Sequence, residues 1–347
     1  MSTFESALAQ TWQPFVLILG LILIGLAAAS DGLFESVGAR LASLPGGGVT
    51  LFISMMGLVA VVTATLNLDT SVVFLTPIVL HAARQRAIDE RAFLYGSIFM
   101  ANAASLLLLG SNLTNILVFT GRNVRGVRFS ETMLLPWASS VVLTTVVVMI
   151  WCWRELRTGC RVEQPAPPAF RFGVGFIGLC AATLMMLVLG TPALPVLGVG
   201  VLAQGIQIVV SRRSTVAATL RVANLALLAS LFSIAIAIAV VARLWEFPSR
   251  LMASAGTWES AAVGAGTANI INNLPAAALL SSKLPAHPYA LLIGLDLGPN
   301  LAVFGAMSSL LWLRIARQNN AKPSLRTFSA VGVVVTASTF VAAMLQL

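Results

Sequence analysis

The chain has 347 residues, 58% of them hydrophobic and only 10% charged, with a net charge of +9. A soluble globular chain carries about 25% charged residues. The composition therefore excludes a soluble enzyme or a soluble nucleic-acid binder and predicts an integral membrane protein. Its apolar runs are long and uncharged, which predicts helices and not the alternating pattern of a β-barrel.

Residues 1–13 hold Glu5 and no basic residue, the reverse of a secretory signal's positive start. Full spans are predicted at about 14–30, 92–120, 130–152, 172–189, 194–210, 223–243, 288–313 and 327–345. Gly46-Gly47-Gly48 reads as a hinge before the first of two hairpins, since no phosphate-loop pattern follows it. That hairpin, 48–83, is predicted to enter the membrane and turn back at Thr65-Leu66-Asn67-Leu68-Asp69-Thr70-Ser71. The second, 257–283, turns at Thr267-Ala268-Asn269-Ile270-Ile271-Asn272-Asn273-Leu274-Pro275. Their apolar arms, Val49–Ala64 with Val72–Leu80 and Ala261–Gly266 with Ala276–Leu280, fall short of the roughly 20 residues a span needs. Each hairpin is followed by a span that is itself broken. Ser111-Asn112-Leu113-Thr114-Asn115 interrupts 92–120, and Asp296-Leu297-Gly298-Pro299-Asn300 interrupts 288–313. The predicted fold class is thus an all-α polytopic membrane protein of two inverted repeats, each with a re-entrant hairpin and a broken helix. About eight full spans accompany the two hairpins. The domains are an N-terminal repeat at 1–153, a cytoplasmic linker at 154–171 and a C-terminal repeat at 172–347.

Basic residues fix the expected orientation. With both hairpins re-entrant, one side receives Arg40, Arg84, Arg86, Arg91, Arg154, Arg157, Arg161 and Arg171. It also receives Arg212, Arg213, Arg221, Arg314, Arg317, Lys322 and Arg326. The other side receives Arg122, Arg125, Arg128, Arg243, Arg250 and Lys283, so the division is 15 to 6 of the 21 basic residues. The richer side is then cytoplasmic, both termini lie outside, and the hairpins enter from opposite faces. Trp12, Trp137, Trp151, Trp153, Trp245, Trp258 and Trp312 fall near predicted helix ends and read as an interfacial belt. Cys152, Cys160 and Cys180 form no CxxC pair and no metal-ligand spacing, so they read as free structural thiols, with no metal or cofactor expected.

Asp69 and Asp296 are the acids predicted near mid-membrane. Charge is disfavoured at that depth, so a carboxyl group there is suited to taking up and releasing a proton. The structural alternative is an aspartate capping a half-helix amino end. Asn67, Thr70, Ser111, Asn112, Thr114, Asn115, Asn272 and Asn273 supply neutral donors and acceptors for a solute. They would equally serve to knit the broken backbone. No Lys or Arg lies among them, which argues against a dicarboxylate or phosphate. His81 and His287 sit just beyond the second hairpin arms; they read as interfacial histidines, with proton antennae at opposite mouths as the alternative.

These strings, in this order, resemble the arsenite/antimonite efflux permeases (the ArsB family) of the ion transporter superfamily. The resemblance runs from about Gln13 to the C-terminus. It is carried by Asn67-Leu68-Asp69 leading into Leu75-Thr76-Pro77-Ile78-Val79, and by Ser111-Asn112-Leu113-Thr114-Asn115-Ile116. Asn272-Asn273-Leu274-Pro275, Gly294-Leu295-Asp296-Leu297-Gly298-Pro299 and Ser308-Ser309-Leu310-Leu311-Trp312 complete it. It implies substrate between hairpin tips and broken helices, and export of trivalent arsenic or antimony across the bacterial inner membrane. The resemblance further implies that proton exchange drives the export, by an elevator-like movement. It leaves room for a homodimer and for an ATPase subunit, and implies no nucleic-acid partner. Three departures stand out. Only about 13 residues precede the first span where the family has further N-terminal helices, Leu274 stands where a Met is expected before Pro275, and Asn300 stands where a Lys is expected after Pro299. Absence of cysteine from the candidate site fits release, because trivalent arsenic holds tightly to soft thiolates.

Other classes are set against this. A relative carrying another solute, such as a Na⁺/H⁺ antiporter or organic-anion carrier, would need sodium or an anion. A non-transporting membrane scaffold would show no flux. An intramembrane aspartyl protease would pair Asp69 with Asp296, but Tyr and Gly-X-Gly should then precede them, where Asn67-Leu68 and Gly294-Leu295 stand instead. The prediction is a transporter and not an enzyme.

Overall fold

The computed structural model describes residues 3–122, 124–157, 172–210, 212, 215–223 and 225–347. Its elements open with α1 (Thr3–Ser30), α2 (Leu33–Ser43), the hairpin α3 (Gly48–Thr65) and α4 (Leu68–Gln85), then α5 (Arg91–Ala104). A 3-10 turn at Leu109–Ser111 separates α5 from α6 (Leu113–Phe119), and α7 (Gly126–Trp151) and α8 (Trp153–Arg157) follow. Next come α9 (Val174–Val188), α10 (Ala193–Val209), α11 (Val216–Ala223), α12 (Leu225–Leu244) and α13 (Phe247–Ser254). The second hairpin is α14 (Thr257–Ile271) and α15 (Asn273–Leu280), followed by α16 (Pro288–Leu297). Two 3-10 turns, Gly298–Leu301 and Val303–Gly305, precede α17 (Met307–Gln318) and α18 (Leu325–Met344).

The same succession of hairpin, broken helix and long helix occurs twice, and its packing is reciprocal. Within each succession the first hairpin arm packs on the first half of the broken helix, α3 on α5 and α14 on α16. Across them the pairings are exchanged: α4 packs on α17, and α15 on α6. The long closing helices α7 and α18 pack together. Around these, α1 packs on α9, α10 and α12, a framework drawn from both sides of the 154–171 segment. This is the all-α, two-repeat membrane architecture the sequence predicts. Side chains such as Leu135, Val142 and Ile150 on α7, and Leu202 and Val209 on α10, point outward, as a lipid-facing surface requires.

Several expectations change in detail. By length and composition, α1, α3, α7 and α18 can each cross a membrane, with α12 and α13, bent at 78°, as a further span. The predicted spans at 172–189 and 194–210 are helices of only 15 and 17 residues, and 92–120 and 288–313 are broken as expected. The arms of the first hairpin are longer than predicted, 18 residues each, because the polar island is mostly helical. Only Leu66 and Asn67 lie outside the helices. The Asn67 side chain makes so short a turn feasible by accepting from the Thr70 amide at 2.7 Å, and Thr63 Oγ1 donates to Ser71 Oγ at 2.7 Å across the turn. In the second hairpin the turn is Asn272 alone, whose left-handed backbone (φ 78°) asparagine tolerates better than most residues.

Trp312 is not interfacial. It is fully buried, donating to the Leu94 carbonyl at 2.9 Å beside Tyr95 and Phe328, because α17 is covered by α4 and α5. Trp151, Trp153, Trp245 and Trp258 are exposed near helix ends as predicted. Of the 154–171 linker, 154–157 belongs to α8; the remainder, with Cys160, Arg161 and Arg171, lies outside the described residues, as does Arg213. Cys152 is buried and Cys180 exposed, both as free thiols.

Two charges in turns at helix ends are buried. Asp31 closes α1, accepting from the Gly175 amide at 2.8 Å and Gln207 Nε2 at 2.7 Å, so it joins α1 to α9 and α10. Arg86 donates to the carbonyls of Ala42, Leu44 and Gly46 and thereby binds the end of α4 to the end of α2. Arg86→Ala would leave these carbonyls without donors. It is expected to lower stability by about 3 kcal/mol, read as thermal denaturation in detergent, and Arg86→Lys should recover part of the loss.

Candidate functional site

Four half-helix amino ends occur where the repeats interleave: those of α4, α6, α15 and α17. A half-helix starting inside a protein presents unpaired backbone N–H groups, and in three of the four an asparagine answers them. Asn67 caps α4, Asn112 caps α6 by accepting from the Thr114 amide at 3.3 Å, and Asn272 caps α15 by accepting from the Leu274 amide at 3.4 Å. The fourth, α17, begins after Ala306 and has no side-chain cap.

Asp296 lies in the last turn of α16, buried to 1% exposure. Its Oδ1 accepts from Asn112 Nδ2 at 2.9 Å and from Thr114 Oγ1 at 2.6 Å. The second repeat's acid is thus held by the first repeat's broken helix through side chains, and not as the cap of a half-helix. Its Oδ2 is buried without a partner. Beside this link, Asn102 Nδ2 on α5 donates to Asn300 Oδ1 at 2.7 Å, a second cross-repeat bond. Asn102 Oδ1 and Asn300 Nδ2 are both left without partners. Asn300 stands where the resemblance led us to expect a Lys, and here it is paired amide to amide.

The other candidates divide by role. Ser111 Oγ donates to the carbonyls of Ser105 and Leu108, and Asn115 Nδ2 donates to the same two at 2.8 and 3.1 Å. These two serve the interrupted backbone between α5 and α6. Asn272 Nδ2 donates to the Phe304 carbonyl at 3.0 Å, tying the second tip to the second broken helix. Asn273 is buried next to it. In the first tip, Asn67 Nδ2 and Thr70 Oγ1 are buried without partners. Asp69 occupies the first turn of α4, partly exposed, where the amino end favours an acid. Geometry therefore joins Asn112, Thr114 and Asp296 directly, whereas no hydrogen bond connects the first tip to them. Ser308 Oγ and Ser309 Oγ, in the first turn of α17, are also buried and unpartnered. Buried polar atoms are normally paired, so the open ones at these half-helix ends leave donors and acceptors available to a polar solute. Outside the cluster, His287 precedes α16 with Nδ1 3.3 Å from Thr257 Oγ1, and His81 Nε2 is 2.7 Å from Gln85 Nε2. Among the described residues no group of His, Cys, Asp and Glu is arranged to hold a metal ion.

Residues 4–347 match the family profile of ArsB, described as the arsenical pump membrane protein. The chain belongs to the ArsB family. It is 27% identical over 365 residues to the arsenical pump membrane protein of Escherichia coli K12, covering 94% of this chain and 83% of that protein. It is 26% identical over 370 residues to an uncharacterized transporter of Mycobacterium tuberculosis, covering 97% and 85%. Among solved structures it resembles the YdaH transporter of Alcanivorax borkumensis with a TM-score of 0.59 at 14% identity, covering 99% of this chain and 86% of that one. At that identity the likeness speaks for the fold alone, that of a polytopic membrane protein. The chain is a membrane transporter of the ArsB type.

In this ArsB-family chain the sequence reading passed over Asn102 as a site residue. A signal was present: an amide in the middle of an otherwise apolar span, ten residues before Asn112. Ser308 and Ser309 appeared in the resemblance but gained no role, because a serine pair in a helix usually bonds to the preceding turn. Here they start a half-helix and have no turn before them.

Proposed function

We propose that this ArsB-family protein exports trivalent arsenic and antimony, as arsenite and antimonite, across the bacterial cytoplasmic membrane in exchange for protons. The observation that carries the reading is Asp296, a buried acid with one oxygen bonded by Asn112 and Thr114 and the other open. An acid held in this way can change protonation as a neutral hydroxylated solute binds or leaves. Asn67, Thr70, Asn112, Thr114, Asn272 and Asn273 form the solute lining, with Ser111 and Asn115 holding the broken backbone behind it, and Asp69 and Asp296 are the proton-coupling pair. A site without Lys, Arg or Cys suits a neutral trihydroxide that must be released again.

The movement is elevator-like: the hairpins and broken helices shift against the framework of α1, α9, α10 and α12. A cavity of about 570 Å³ between α12 and the second hairpin tip, beside the packing of α12 on α15, supports it. The repeats span 1–153 and 172–347 with a cytoplasmic linker at 154–171, and both termini lie outside. Lipid surrounds the protein; a homodimer and an ATPase subunit are compatible partners.

Expression in an arsenite-sensitive bacterial strain tests the reading, with wild type beside Asp69→Asn and Asn273→Ala. Wild type should restore growth and lower cell arsenic, and both variants should lose most of that protection. Well-expressed wild type that leaves cell arsenic unchanged would overturn the assignment, and protection by Asp69→Asn would remove Asp69 from coupling.

A further inference from the structure

The groove between α2 and α4 assigns, we infer, an aqueous path from the cytoplasmic surface to Asp69, with His81 as the proton-transfer group at its mouth. The inference rests on the proton-coupled reading above.

Along α4 the positions that escape burial are Asp69, Val73, Phe74, Pro77, Ile78, His81, Arg84 and Gln85. Steps of three and four residues place them on one stripe of the helix, and every other α4 side chain is buried. The stripe begins at the hairpin's acid and ends at a histidine and a glutamine. A cavity of about 590 Å³ follows it from Val73 to Gln85 and is closed on the far side by α2. Asp69 lies one turn beyond Val73, partly exposed, and no side chain bonds its carboxylate.

The groove's walls are mostly apolar, with Glu35, His81, Gln85 and Asn319 as their polar groups. Pro77 has no N–H, so it gives no helical bond to the carbonyl of Val73 four residues back, which is left free to accept from water. Glu35, next to Phe34 on α2, and Asn319 beyond α17 also line the groove, with His81 and Gln85 towards the end of α4. Midway, Phe34 of α2 stacks on Phe74 with ring centroids 5.4 Å apart, a constriction between the mouth and Asp69. The charged groups around His81 are few. Glu35 shares the cavity lining, whereas Arg40 of α2, Arg84 of α4, and Arg314 and Arg317 of α17 do not. α3 carries no charge, Arg91 of α5 is paired with Asp89 and Glu155, and Asp31 at the end of α1 is held by Gly175 and Gln207.

In operation the Asp69 carboxyl gives its proton to water in the groove, and His81 takes it up and releases it to the cytoplasm. The carboxylate is left ionised and the imidazole returns to its neutral form. An imidazole can accept a proton on one ring nitrogen and release one from the other, which suits it to that relay.

The test uses two readouts in membrane vesicles. In a background carrying Cys152→Ser, Cys160→Ser and Cys180→Ser, Val73→Cys should react with a membrane-impermeant thiol reagent in inside-out vesicles and not in right-side-out ones. Val61→Cys, an outward position on α3 at 61% exposure, should react in neither. His81→Leu should slow proton-driven arsenite transport by about 100-fold, and added imidazole should restore it, which a purely structural defect would not allow. Val73→Cys behaving like Val61→Cys, labelling from the opposite face, or wild-type transport by His81→Leu would each overturn the path. Asp69→Asn in the same vesicles separates the two levels. Wild-type transport there would overturn the coupling role of Asp69, whereas lost transport together with unreactive Val73→Cys would overturn only the path.

Discussion

Asp296→Asn is expected to reduce arsenite export by about 100-fold or more while leaving the protein folded. The substituted amide keeps an oxygen where Oδ1 accepts from Asn112 Nδ2 and Thr114 Oγ1, so the link between the two broken helices survives. It keeps the shape and loses the proton. Asp296→Ala behaves differently: it strands two buried donors, an omission that costs about 1–3 kcal/mol for each group left unpaired. Initial export rates and thermal denaturation of the purified proteins, measured together, separate the effects. Asp296→Asn with wild-type stability and wild-type export would remove Asp296 from coupling.

The largest effect on folding is expected from Gly332→Val. A side-chain carbon at Gly332 on α18 would collide with the Asn300 carbonyl, in the 3-10 turn that directly follows Asp296 and Leu297. Neither partner can yield easily, because one is backbone and Asn300 is itself fixed by Asn102. Overpacking of this kind typically costs up to about 3 kcal/mol; here it also displaces the turn that places Asp296, so export should fall with stability. Gly266→Ala on α14 is the control. Nothing lies within 4 Å of an added carbon there, and alanine is the better helix former, so melting should hold or rise slightly. Gly332→Val melting with wild type would contradict the close approach.

Much of the fold was legible in the sequence because hydrocarbon is an unforgiving solvent. Polar groups such as Asn67, Asn112, Asn272 and Asp296 stand out against apolar runs, and each marks a real turn or break. What the sequence could not reveal was partnership. That Asp296 would be bonded by Asn112 and Thr114, 184 and 182 positions away, depends on how two distant repeats interleave. Trp312 misled for the same reason. Position near a predicted helix end suggests a membrane interface, but long-range packing buries it. Helix lengths misled as well. The arm α3 is as long as a short span, and only its turn onto α4 at Asn67 distinguishes the two.

The account turns on proton exchange at a buried acid, and transport into inside-out vesicles tests it most directly. A pH gradient, acid inside, is imposed in sodium-free buffer without ATP, and uptake of labelled arsenite is followed for wild type and Asp296→Asn. Wild-type vesicles should accumulate arsenite until a protonophore dissipates the gradient, and Asp296→Asn vesicles should not accumulate it. Accumulation that survives the protonophore, that needs sodium or ATP, or that Asp296→Asn retains would contradict the account.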